Sequence, residues 1–337
     1  MSERNYLVYF HTPGWGGNEI MALSIINNIV LEGISVDIVC TKEQEDKLKI
    51  SSISHVVNFL KIEEVNYEKY LKIILILPSF LSFLKIHRKI DKIFDFKIFL
   101  YAPFWGWEWA NGFSLILRKL LLKSFFYFNK YKFLVIKYDF DKNIIRNSES
   151  RIHIIPNFAT KKFEVYESCE KNIFCVGRVD FVQKGQDQLI HELIKLKSKN
   201  SKIFDNLIFI GDGPNLKELK KSSYNINWIK FLPWVGNSTI QVSSNSICIL
   251  SSHYEGLPLI ALESIMSNIP VIATKGSALN SILPQQSIHK NDMVTLEKSI
   301  EYTYRNYEYV LNYSKHNVLS GYSYEAFENS INVLCRD

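Results

Sequence analysis

Residues 246–263 limit most sharply what this chain can fold into. Ser246-Ile-Cys-Ile-Leu250 is a short unbroken apolar run, the pattern of a buried strand. It gives way to Ser251-Ser-His-Tyr-Glu-Gly-Leu-Pro258, and apolar residues then resume at Leu259. Pro258 suits the first turn of a helix, where its missing N–H has no partner to lose. Glu255 precedes that helix and Glu263 lies within it, eight positions on. Eight helical residues rise about 12 Å. Carboxylates that far apart cannot share one proton as an acid–base dyad. They can hold the two ends of one long ligand, with helix N–H groups facing an anion between them. A nucleotide-sugar has that layout: a sugar, a diphosphate, then a ribose with two hydroxyls. An ordinary strand–turn–helix with surface glutamates accounts for the same residues equally well.

The strand, loop, helix order recurs along the chain. Residues 6–10 read as a buried strand, 11–18 as a glycine-rich loop, 19–31 as a helix and 36–40 as a second strand. Residues 97–101, 133–136 and 152–155 are further strand candidates, and Pro156-Asn157 ends the last. Polar residues 158–171 read as a linker. A second series follows, with strands at 172–176, 207–210, 227–231 and 269–273 and a helix at 186–197. A length of 337 residues suits two domains. The expected fold class is therefore α/β, with two Rossmann-like doubly wound domains facing a cleft. The expected boundaries are 1–160 for the first domain and 165–320 for the second. A capped amphipathic helix is expected within 321–337. The first loop lacks GxGxxG, so no dinucleotide fingerprint is present. Gly16 and Gly17 lack Cβ atoms, so their backbone can approach a phosphate; a tight strand-to-helix turn is the plainer reading.

Charge is spread unevenly. The net charge is +6, yet residues 69–137 hold 13 Lys/Arg against 3 Asp/Glu, interleaved with Phe, Trp and Tyr. No nucleic-acid-binding motif accompanies them, so the segment points to an anionic membrane surface rather than nucleic acid. A solvated basic face is the bland alternative. The most apolar stretch, 71–84, contains Lys72 and Pro78 and is too short to span a bilayer. The chain enters its first strand at once, without the pattern of a signal peptide. Its five cysteines, at 40, 169, 175, 248 and 335, form no CxxC pair and read as free thiols in a reducing compartment. A cytoplasmic protein, peripheral on the inner face of a bacterial plasma membrane, is the expected setting. Trp105, Trp107 and Trp109 follow a strand, where aromatic faces stack on sugars or serve as a hydrophobic plug. Asp139-Phe-Asp141 has DxD spacing, but no third ligand is in sight, and no metal is expected there.

Taken together, several motifs resemble one family. Gly177-Arg178 with Lys184-Gly185, then Gly211-Asp-Gly213-Pro214, then Glu255-Gly256-Leu257-Pro258-Leu259-Ile-Ala-Leu-Glu263 and Pro270-Val-Ile-Ala-Thr274, resemble the C-terminal signature of family 4 retaining glycosyltransferases, glycosyl transferases group 1. Gly16-Gly17-Asn18-Glu19 is similar to that family's N-terminal glycine loop, and Pro156-Asn157 to its pre-linker pair. The resemblance covers about residues 165–335 strongly and the first half more thinly. It implies the GT-B fold, with the last helix crossing back to the first domain.

By that resemblance, Arg178 and Lys184 would neutralise the donor diphosphate, replacing a metal, and Glu255 would hold sugar hydroxyls. Glu263 would take the ribose hydroxyls. The backbone at Gly256, Leu257, Pro258 and Leu259 would meet phosphate and sugar, near the Gly211 and Gly213 loop. Gly17, with Gly16, would close from the other domain. The donor would be a UDP- or GDP-sugar, with no separate cofactor, and the acceptor lipid-linked or polysaccharide, in O-antigen, capsule or exopolysaccharide synthesis. The chain departs from the pattern at Tyr101-Ala-Pro, where many relatives carry a histidine; His11 is a candidate replacement. Trp228 and residues 231–234 are candidates to lie near the base. A catalytically inactive GT-B partner and a sugar-nucleotide epimerase are the competing readings.

Overall fold

The computed structural model describes residues 5–11, 16–49, 56–76, 98–101, 132–136, 152–234 and 239–336. The chain divides into two compact units, 1–157 with 325–337, and 158–324. The three-tryptophan loop, Pro78 and the Asp139/Asp141 pair lie outside the described residues.

The first unit contains a seven-stranded, all-parallel sheet ordered β3-β2-β1-β4-β5-β6-β7. Its strands are β1 (Asn5–Phe10), β2 (Ser35–Cys40), β3 (Val57–Phe59), β4 (Lys72–Ile76), β5 (Ile98–Tyr101), β6 (Lys132–Ile136) and β7 (Ile152–Ile155). Beyond their first residues, Asn5 and Lys72, the central strands β1 and β4 are apolar and buried, as parallel strands covered on both faces must be. Helix α1 (Gly17–Leu31) buries Met21, Ala22, Ile25, Ile26 and Ile29, an apolar stripe at helical spacing. Its chain then reverses through Gly33 at φ +75°. Helix α2 (Lys42–Lys49) follows β2.

Part of the segment read as a basic surface is sheet interior. Lys72 is buried in β4, over the rings of Tyr6 and Phe99, and its Nζ donates to the Leu334 carbonyl. Its apolar stem packs while its charge finds an acceptor. Lys69 pairs with Asp37 at 2.9 Å.

The second unit has a six-stranded parallel sheet ordered β11-β10-β9-β13-β14-β15. These strands are β9 (Asn172–Val176), β10 (Asn206–Ile210), β11 (Ile229–Leu232), β13 (Ser246–Leu250), β14 (Val271–Thr274) and β15 (Ile288–His289). Period-two alternation sorts the side chains onto two faces. Ile173, Cys175, Ile247 and Ile249 join one core with Leu189, Leu193 and Leu196 of α4 (Gln186–Lys199) and Leu296 and Ile300 of α7 (Met293–Arg305). Phe174, Val176, Cys248 and Leu250 join the other with Leu262 and Ile265 of α6 (Leu259–Met266) and Val318 of α8 (Tyr307–Gly321). Each such side chain contributes about 1.5–3 kcal/mol by leaving water. The helices α3 (Phe181–Lys184) and α5 (Leu216–Ser222) complete this unit.

Two sequence expectations change. The 158–171 linker is not wholly irregular: it holds β8 (Glu164–Tyr166), paired in parallel with β12 (Gln241–Ser243). Pro258 caps α6 rather than entering its first turn. The terminal helix, α9, spans Tyr324–Arg336, and residues from 325 on group with the first unit. There Phe327, Ile331, Leu334 and Cys335 form its buried stripe. No described helix is long and apolar enough to cross a membrane.

Candidate functional site

In the second sheet, successive strands run outward from β9 one way to β11, and from β13 the other way to β15. Ligands of open parallel sheets sit outside the carboxyl ends of the strands at that reversal. The chain leaves β9 into Gly177-Arg178 and α3, and leaves β13 into Ser251–Glu255 and α6. Strand order therefore unites residues 67 to 71 positions apart. Ser251 Oγ donates to the Lys184 carbonyl at 2.7 Å, and the His253 N–H to the Gln183 carbonyl at 2.9 Å. Lys184 Nζ donates to Glu255 Oε1, while Ser252 Oγ donates to Glu255 Oε2 at 2.6 Å. Both carboxylate oxygens are held, so Glu255 is oriented before any ligand arrives.

Arg178 is placed differently. Its guanidinium reaches Asp180 Oδ2 at 2.8 Å and Gln183 Oε1 at 3.1 Å, and its side chain is mostly exposed. Such a pair contributes little to stability. It holds the cation at the surface beside Asp180, which also caps α3 through the Gln183 N–H.

Close backbone approach packs these loops together. A Cβ on Gly211, at φ +152°, would lie 2.0 Å from the Gly177 carbonyl oxygen. A Cβ on Gly185, at φ +61°, would lie 2.6 Å from the Ser251 carbonyl oxygen. Only glycine meets both demands. Gly213 lies in the same way against Val179. The N–H groups of Gly211 and Gly213 are used internally, on the Leu232 carbonyl and on Asp212 Oδ1. These two glycines allow the loops after β9 and β10 to pack closely. Gly256 has nothing within 4 Å of its Cβ position, whereas Leu257 and Leu259 are buried. The 256–259 backbone is thus anchored by apolar side chains and open at the glycine.

Glu263 lies inside α6 with its carboxylate turned to the linker. Thr160 Oγ1 donates to Glu263 Oε1, and the backbone amides of Thr160 and Lys161 bond the same carboxylate. Burial raises its pKa above the ordinary glutamate range, and these bonds oppose the rise only in part.

The remaining predicted residues lie in the first unit. Gly17 opens α1, and the Gly16 N–H donates to Glu19 Oε2 at 2.7 Å. Gly16 therefore serves as a helix cap, with its N–H directed at a carboxylate. His11 is exposed just after β1, and its N–H donates to the Ile76 carbonyl at 2.9 Å. Trp228 is displaced from its expected place: it precedes β11, at the amino end, edge-on to Phe204 at 5.5 Å and beneath Lys197. Trp234, half exposed, does follow the carboxyl end. Sequence reasoning missed Ser252, Asp180, Gln183 and Thr160, because each acts through a partner that its local sequence does not announce.

Residues 170–303 match the family described as Glycosyl transferases group 1. A Haemophilus influenzae protein described as an uncharacterized glycosyltransferase is 31% identical over 121 residues. That match takes in 35% of this chain and spans about a third, 33%, of the relative. Among solved structures, sucrose-phosphate synthase from Thermosynechococcus elongatus superposes with a TM-score of 0.72 at 15% identity, covering 99% of this chain and 98% of that one. Anabaena HepE, solved in complex with UDP, gives 0.70 at 12% identity, covering 98% and 99%. The chain has the GT-B fold. Its residues 170–303 are similar to the group 1 glycosyltransferases.

Proposed function

We propose that this protein is a retaining glycosyltransferase that moves a sugar from a UDP- or GDP-sugar to a lipid-linked or polysaccharide acceptor in bacterial surface-glycan synthesis. The observation that carries the reading is the Lys184–Glu255 pair at the strand-order reversal, with Arg178 beside it. Lys184 and Arg178 face the diphosphate and stabilise the charge that develops as it departs. The N-terminus of α6 adds its dipole, and the open backbone at Gly256 admits phosphate and sugar. Glu255, oriented by Ser252, receives sugar hydroxyls. Glu263 receives the ribose diol in exchange for Thr160. Two cations take the place of a metal. The bond from the sugar's anomeric carbon to phosphate breaks and the bond to the acceptor oxygen forms on the same face. The departing phosphate oxygen takes the acceptor's proton.

The HepE neighbour was solved with UDP, which puts UDP-sugars first in a donor screen. The basic, aromatic composition of residues 69–137 supports a peripheral position on an anionic membrane, beside a lipid-linked acceptor. Incubation with labelled UDP- and GDP-sugars and membrane-derived acceptors tests the reading. A transferred sugar with the donor's anomeric configuration is expected, with turnover lost in Lys184→Ala and Glu263→Ala. Unchanged rates in both folded variants, or a free epimerised donor as the product, contradict it. Flotation with anionic liposomes at low salt tests the membrane half, and failure to float removes it.

A further inference from the structure

Asn291 sits behind the candidate site, outside every motif read from the sequence. It is buried, at 5% exposure, and its backbone takes the left-handed conformation at φ +60°. Non-glycine residues adopt that conformation at a cost, least for Asn and Asp. Three hydrogen bonds radiate from it to three different elements. Its Nδ2 donates to the Ser251 carbonyl at 2.8 Å, at the end of β13. Its N–H donates to His289 Nδ1 at 3.1 Å, on β15. Its carbonyl accepts from Gln188 Nε2 at 3.0 Å, on α4. The held carbonyl belongs to Ser251, whose hydroxyl bonds the Lys184 carbonyl, and the next residue, Ser252, bonds Glu255. The other amide atom, Asn291 Oδ1, is buried without a hydrogen-bond partner among the described residues. An unmet acceptor of that kind costs about 1–3 kcal/mol. With the left-handed backbone, it marks a residue kept for the geometry it imposes rather than for packing.

We propose that Asn291 is a positioning residue: it fixes the Ser251 carbonyl and, through Ser251 and Ser252, the placement of Lys184 and Glu255 for a nucleotide-sugar. The consequence for the donor rests on the proposed function; the tether itself does not.

Asn291→Gly is the informative variant. Glycine takes φ +60° freely, so the backbone is relieved while the amide tether is removed. Amide hydrogen exchange at residues 251–256 in the free protein reads the tether, and titration with UDP and GDP reads the site. Exchange at least tenfold faster in that loop, with the α4 and α7 amides unchanged, is expected. Nucleotide affinity should fall at least tenfold while Tm stays within a few degrees of the parent. Asn291→Ala, which keeps the backbone cost, should lose as much affinity and more Tm. Wild-type loop exchange in Asn291→Gly overturns the proposal, as does affinity that simply follows Tm across the two variants. If the parent protein binds neither nucleotide, the functional reading falls, and loop exchange alone still decides the tether.

Discussion

Lys184 and Glu255 form an ion pair across 71 positions of chain, with their side chains 21% and 13% exposed. Arg178 and Asp180 pair at 2.8 Å on the surface, with the Arg side chain 60% exposed. The two cations of the candidate site thus differ in environment. The sheltered pair is weakly screened, and removing one partner strands the other. Lys184→Ala is expected to lower stability by about 1–3 kcal/mol, below the cost for a fully buried pair, and to reduce turnover at least a hundredfold. Arg178→Ala is expected to leave stability within about 0.5 kcal/mol while weakening donor binding. Denaturation paired with steady-state kinetics separates the two effects.

Two glycines of the site should respond in opposite ways. Gly211→Ala places a methyl 2.0 Å from the Gly177 oxygen at a φ of +152°. A loss of about 3 kcal/mol or more is expected, from clash and backbone strain together. Gly256→Ala meets nothing within 4 Å. Its Tm should be unchanged, and its donor affinity should fall if phosphate and sugar lie against that backbone. Thermal melts and nucleotide titration of both variants check this.

Burial raises the Glu263 pKa, so folding favours its protonated form. Stability from this group is present below the unfolded value, about pH 4.3. It is lost as pH rises through the higher folded value. Glu263→Gln keeps an acceptor for Thr160 without the buried charge. It is expected to match or exceed the parent's stability near neutral pH, to lose that advantage near pH 4, and to lose nucleotide affinity. Urea melts across that range, with titration at neutral pH, measure both.

His289 should give the opposite slope. Burial lowers its pKa to about 4, against an ordinary value of 6.5, and the nearby Leu250 carbonyl offsets this only partly. The unfolded chain then binds the proton first, so stability falls as pH drops through the window from 6.5 to about 4. The full effect is about 3 kcal/mol. His289→Gln should flatten that part of the profile.

Physical reasons govern which elements could be read in advance. Strands β1, β9 and β13 are legible because parallel strands covered on both faces are unbroken apolar runs. β4 is obscured by Lys72, whose stem is buried between Tyr6 and Phe99. β8 is obscured because Glu164, Val165 and Tyr166 are all exposed and give no alternation. Lys184, Glu255 and Glu263 are singled out in the sequence by motifs that resemble a family's signature. Thr160, Ser252 and Asn291 are single polar residues whose partners arrive through strand order and loop packing. The same limit explains Trp228: proximity in sequence to 231–234 does not say which end of β11 it occupies.

The central claim of the proposed function is that the reversal between β9 and β13 binds a nucleoside diphosphate, with Lys184 facing its phosphates. Titration of UDP and GDP, followed by Tm, tests it most directly. At about 100 times Kd, binding adds about 2.7 kcal/mol to native stability. The account predicts a saturable rise in Tm with one of the two nucleotides, lost in Lys184→Ala. No rise with either nucleotide, or an equal rise in Lys184→Ala, would contradict it.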